Sequence, residues 1–121
     1  MSKFIACDAS YDESSAVIFG APFDGTTTFR PGARFGPAAI RGDSFGIETY
    51  SPYLDRDLTD LLICDEGDLE LPFGSVPRVL AMIEEKVSKI LEAGKLPVML
   101  GGEHLVTLGT LRAAADALGV T

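Results

Sequence analysis

Residues 75–104 read SVPRVLAMIEEKVSKILEAGKLPVMLGGEH, and this stretch decides the fold. Apolar side chains fall at Val76, Val79, Leu80, Ile83, Val87, Ile90 and Leu91, at spacings of 3, 1, 3, 4, 3 and 1. That is one stripe at the 3.6-residue period, the mark of a helix with a single buried face. Ser75 supplies a capping hydroxyl at its start and Gly94 a left-handed close at its end, so a helix is predicted from Ser75 to about Glu92. Pro97-Val98-Met99-Leu100 then reads as a short buried strand that stops at Gly101-Gly102.

The same alternation extends in both directions. Toward the carboxyl end, a last helix is expected from about His104 to Leu118, with Leu105, Leu108, Leu111, Ala115 and Leu118 on one face. Gly119 ends it, and Val120-Thr121 could open another strand. Toward the amino end, Leu61–Asp65 (LLICD) and Ala16–Gly20 (AVIFG) are apolar runs bounded by turn signals, as expected of strands buried on both faces. A long loop, residues 21–34, leads to a short helix predicted to start at Gly36-Pro37 and run to about Phe45, with Gly36 as N-cap and Pro37 first in the helix. Residues 1–15 read as a loosely held arm, and 16–121 as one α/β unit.

The order β-loop-α-β-α-β-α predicts an α/β fold with a parallel sheet and helices on both faces. Ligands of such sheets bind beyond the carboxyl ends of the strands. Three segments meet that condition: the glycine- and proline-rich loop at 20–34, Asp65-Glu66-Gly67-Asp68, and Gly101-Gly102-Glu103-His104.

Composition narrows the function. The chain has 121 residues, 46% apolar and 23% charged, which suits one soluble domain and argues against disorder. The longest apolar runs, Ala16–Phe19 and Pro97–Leu100, fall far short of the roughly 20 residues of a membrane helix. The first eight residues hold no sustained apolar region for a signal peptide, so a cytoplasmic protein is expected. Ten basic against 18 acidic residues give a net charge of −8, spread evenly over both halves. Nucleic acid and anionic membrane need a positive footprint and are poor partners; a cationic substrate or a divalent metal suits this field. Cys7 and Cys64, 57 positions apart, form no metal knuckle and read as reduced thiols, with Cys64 in the core.

The chemistry-bearing residues each carry two readings. His104, the single histidine, follows a strand and two glycines at the mouth of a helix. It suits a metal ligand with Glu103 beside it, or a helix-start imidazole that merely hydrogen-bonds. Asp65 and Asp68 could bind metal or orient a ligand; more often such acids cap their own turn. Arg30, Arg34 and Arg41 could read a carboxylate or phosphate, but pairing with Asp24, Asp43 or Asp65 to pin the loop is the favoured reading. Asp24 suits an Asx-turn equally well. No phosphate-binding or nucleophile-elbow motif is present, and one histidine without a suitable Ser or Cys setting argues against a triad.

Four segments in register carry a resemblance: Gly20–Thr26 (GAPFDGT), Arg30–Arg41 (RPGARFGPAAIR), Asp65–Asp68 (DEGD) and Gly101–His104 (GGEH). From about Ala16 to Leu118 the chain resembles the amino-terminal portion of the ureohydrolase family, the arginases and agmatinases, and the Arg30–Arg41 string is closer to agmatinase. The resemblance implies a three-layer αβα fold and a site with two manganese ions, whose bridging hydroxide attacks a guanidinium carbon to give urea and an amine. It implies that His104 ligates one manganese with Glu103 next to it. Gly101, Gly102, Asp65, Asp68, Asp24 and Arg34 then line or support the site, with no certain catalytic residue among them. Agmatine is the leading substrate, with a place in polyamine metabolism.

The family's other ligand motifs, D-A-H-x-D and D-x-D-x-x-D, do not occur in this sequence. This implies that the chain supplies only part of the site. It implies too a homo-oligomer or association with a carboxyl-terminal portion. The alternative is a catalytically inactive, truncated or degenerate ureohydrolase that self-associates or binds a small molecule.

Overall fold

The computed structural model describes residues 2–120. Three strands form a parallel sheet in the order β4-β1-β5: β1 is Ala16–Ala21, β4 is Ile63–Asp68 and β5 is Leu96–Gly101. Helices α1 (Gly36–Ser44), α2 (Val76–Glu92) and α3 (Val106–Leu118) alternate with them, and the α/β expectation holds. Between α1 and β4 the chain makes a two-residue-per-strand hairpin, β2 (Tyr50–Ser51) with β3 (Arg56–Asp57), which the sequence pattern does not foreshadow.

The core grows from the pleat of β1. Val17, Phe19 and Ala21 point to one face, where they meet Val79, Ile83, Val87 and Ile90 of α2 and Val106 and Ala113 of α3. Gly20 belongs to the opposite face. A Cβ there would lie 1.9 Å from Asp68 Oδ1 and 3.0 Å from Pro37 Cβ, so only glycine lets α1 and β4 close on the strand. Helix α2 matches its expected bounds, with the Ser75 hydroxyl accepting the Arg78 N–H at 3.4 Å.

Four expectations need correction. Strand β4 begins at Ile63 because the ladder starts at Ala16↔Ile63, leaving Leu61 and Leu62 exposed. It runs on through Asp68, so Asp65–Asp68 lies within the strand. There β1 advances from Ile18 to Gly20 while β4 advances from Asp65 to Asp68, a bulge with Gly67 at φ 78°.

Strand β5 is an edge strand, not a buried one: Leu96 is 63% and Val98 37% exposed. Helix α3 buries Val106, Gly109 and Ala113 against α2, and the expected leucine face (Leu108, Leu111, Leu118) is exposed. Gly109 sets that choice, since its absent Cβ lets the helices meet at Ile83 and the Leu80 carbonyl.

The amino-terminal arm, finally, is tied down. Phe4 N–H donates to Asp65 Oδ2 (2.8 Å), Ile5 N–H to Ser44 Oγ (3.0 Å) and Ala9 N–H to the Ile63 carbonyl (3.1 Å), while Asp8 bridges Cys64. Cys7 and Cys64 are free thiols and both are buried; core placement was expected of Cys64, and the tied-down arm adds Cys7. Burial, with the Asp65 and Asp8 charges close by, pushes the Cys7 thiol up to about 11. The shifts at α1 are smaller: Phe35 takes the N-cap position and Gly36 opens the helix. Val120 is in no strand, and Thr121 lies outside the described residues. Among the described residues no helix is long and apolar enough to cross a membrane.

Candidate functional site

Beyond the carboxyl ends of β1 and β5 the chain builds an open depression of about 540 Å³. One side is the turn after β5, with Glu103, His104 and Leu105; the other is the loop after β1, with Thr26, Thr27, Thr28 and Phe29. His104 is exposed on its rim.

The β5 turn is stapled to the β1 loop. A Cβ on Gly102 would lie 2.5 Å from the Phe23 carbonyl oxygen and 2.6 Å from that of Ala21, so this position accepts glycine alone. Glu103 N–H donates to the Phe23 carbonyl at 2.9 Å. The Glu103 carboxylate takes both donors of Thr26: the N–H reaches Oε2 at 3.0 Å and the hydroxyl reaches Oε1.

Asp24 closes the loop from beneath. It is buried, and its Oδ2 accepts the N–H of Gly32 at 2.7 Å and of Arg34 at 3.3 Å. The Arg34 guanidinium lies 3.7 Å from Oδ1 and 4.9 and 5.9 Å from the ring centroids of Phe35 and Phe73. Thr27 bonds the Asp24 carbonyl through both N–H (3.3 Å) and hydroxyl (3.0 Å), so the turn forms on the main chain of Asp24 while its side chain spans the loop.

Asp65 and Asp68 stand at the end of β4, across β1 from the depression. Arg41, fully buried, fills the space there. Its Nε donates to Asp65 Oδ2 at 2.9 Å, Nη2 to Asp65 Oδ1 at 3.0 Å and Nη1 to Asp68 Oδ1 at 2.5 Å. Burial acts to raise the Asp65 pKa, but the Arg41 fork and the N–H groups of Phe4 and Gly67 outweigh it and hold the carboxyl below its ordinary range. Burial likewise works against the Arg41 charge; its bonds to Asp65 and Asp68 prevail and keep it protonated more firmly than usual. The pairing reading is met by Arg41 with Asp65 and by Arg34 with Asp24, whereas Asp43 pairs with neither. Arg30, at φ 51°, instead lies over the Phe29 ring at 5.3 Å.

Of the residues singled out from sequence, Gly101, Gly102, Glu103 and His104 come together with the base of the loop that holds Asp24 and Arg34, while Asp65 and Asp68 belong to the Arg41 cluster. The lining residues Thr26–Phe29 are not among those that the sequence pattern singles out. Their signal was three consecutive threonines in mid-loop. Among the described residues no three His, Cys, Asp or Glu side chains gather as a metal-binding group. A dinuclear manganese centre does not fit the donors at hand, because Asp24, Asp65, Asp68 and Glu103 are each taken by a donor of this chain, which leaves, of the described residues singled out here, His104 as the one possible ligand with no described side-chain partner.

Residues 14–121 match the family model described as the arginase family. The agmatinase of Bacillus anthracis is 55% identical over 112 residues, covering 93% of this chain and 39% of that protein. The solved agmatine ureohydrolase of Thermoplasma volcanium is 37% identical with a TM-score of 0.89, over 93% of this chain and 38% of its own. A formiminoglutamase of Trypanosoma cruzi, solved with Mn2+, is 25% identical with a TM-score of 0.80, over 95% and 41%. The chain thus spans about two-fifths of the length of these relatives.

Proposed function

This chain belongs to the arginase family, and from that premise we propose that it forms part of an agmatinase-like ureohydrolase, which hydrolyses a guanidino compound, agmatine first, to urea and an amine. The observation that carries the reading is His104. It is an exposed imidazole at the end of a parallel strand, on the rim of a depression, in a turn whose geometry only glycine at position 102 allows. Among the described residues, the other metal-ligating side chains of this end, Asp24 and Glu103, are bound to donors of the chain.

His104 is thus the residue we assign to manganese, as one donor of a set that is completed by groups other than those described. The Mn2+ in the solved Trypanosoma relative supports that choice of ion. The chain's own contribution is orientation. Asp24 fixes the loop, Glu103 fixes Thr26 against the turn, and the net charge of −8 draws a cationic guanidinium toward the protein. The buried free thiols accord with a reducing, cytoplasmic setting.

The exposed edge of β5 and the bare leucine face of α3 favour association, with a carboxyl-terminal portion or with further copies. They also support the second reading, a non-catalytic self-associating module.

The test mixes this chain, with Mn2+, with the carboxyl-terminal part of a related agmatinase and measures urea released from agmatine. We expect turnover in the mixture, none from either part alone, and loss of turnover with His104→Ala. Sedimentation that shows a stable complex without urea release favours the second reading, and turnover by this chain alone overturns the partial site.

A further inference from the structure

We propose that Glu103 is the positioning residue of the Thr26–Phe29 wall, and that this wall selects the methylene chain of a linear guanidino substrate; the selective role rests on the function proposed above. The carboxylate makes no described contact with His104. It satisfies two donors of a single residue 77 positions away, the N–H and the hydroxyl of Thr26, and so fixes both the backbone and the rotamer there. Its own main chain cannot shift to compensate, because the Phe23 carbonyl holds Glu103 N–H and the close approach at Gly102 forbids displacement.

The wall that follows is presented by this anchor. The Thr27 hydroxyl is bonded to the Asp24 carbonyl, and Thr28 and Phe29 continue the lining beside it. Phe29 is 78% exposed, and its ring already receives one cation, the guanidinium of Arg30. An aromatic face beside a hydroxyl suits an aliphatic chain that ends in a positive group. With the guanidinium carbon at the His104 end, the rest of such a substrate runs along this wall. A loose wall would leave the His104 end intact and blur only the choice of chain length.

The test compares Glu103→Gln, Thr26→Val and the double variant by amide hydrogen exchange. Loss of one charge-assisted bond is expected to raise exchange at residues 25–29 by about tenfold or more, with protection in α2 unchanged. The double variant adds little to Glu103→Gln, since the hydroxyl bond removed by Thr26→Val is one of the two that the Glu103 carboxylate makes. Unchanged exchange at 25–29, or an equal rise throughout α2, overturns the clamp.

In the complemented enzyme, Glu103→Gln is expected to raise KM for agmatine about tenfold and to narrow the preference between longer and shorter guanidino amines, while kcat falls far less. A collapse of kcat with KM and preference intact overturns the selective role. Absence of urea release by the unsubstituted complex counts against the function proposed above, and the exchange result then decides the clamp by itself.

Discussion

The carboxyl ends of β4 and β5 flank the same strand, β1, and both carry acidic residues, yet they are opposite in character. At β4 every charge is answered: Asp65 takes Arg41, Phe4 N–H and Gly67 N–H, and Asp68 takes Arg41. At β5 the carboxylate is spent on the loop and the imidazole stands exposed. A run of carboxylates after an apolar strand is thus a lock here. The imidazole at the open end is exposed beside the depression, where the proposed function places a ligand.

The strongest way to break this contrast is to remove one key residue from each end. Arg41→Ala leaves a buried Asp65 without its counter-ion, which costs about 3–5 kcal/mol, enough to abolish cooperative unfolding in a domain this small. His104→Ala removes an exposed ring with no described side-chain partner, and the change should stay within about 0.5 kcal/mol. Urea denaturation checks both. Equal losses would mean that the β5 end is also structural.

That asymmetry was only half legible in the sequence. Helix α2 could be read to its ends because period, cap and closing glycine agree. Strand β4 was misplaced because its polar carboxyl half looks like a departing loop, and nothing local reveals an arginine 24 positions upstream that lets Asp65 stay in the sheet. Strand β5 looked buried because its apolar run does not reveal sheet order, which puts it at the edge. The arm looked loose since its bonds are single, non-periodic and made to residues far along the chain, such as Phe4 to Asp65. The GGEH segment was legible as a turn at a strand end, but its link to Thr26 was not, because 77 residues separate the partners.

A finer probe sets one glycine of each end against the other. At Gly102 a new Cβ meets main-chain carbonyl oxygens that cannot rotate away. At Gly20 it meets chiefly the Asp68 carboxylate, a side chain, although one held by Arg41. Gly102→Ala should destabilise by about 1–3 kcal/mol and displace the turn that carries His104, visible as altered amide shifts at residues 23–26 and 103–105. Gly20→Ala should disturb α1 and the arm, with the His104 turn undisturbed. If both substitutions perturb the same amides, the two ends are one unit and the contrast fails.

The smallest expected effect is the share of the acid limb of stability that Asp65 contributes at the β4 end. The Asp65 pKa is depressed in the folded chain, since Arg41 and two N–H groups outweigh burial. A depressed carboxyl contributes stability that is fully present above its unfolded value, about 3.9, and that is lost as pH falls through the lower folded value. Urea midpoints should therefore hold steady, as far as this group is concerned, down to about pH 4 and decline below it. Asp65→Asn should flatten that decline while lowering stability at neutral pH, because an amide cannot match the charge of the buried Arg41. An acid limb as steep in Asp65→Asn as in the unsubstituted chain would take the charge lock away from β4 and undo the contrast between the two ends.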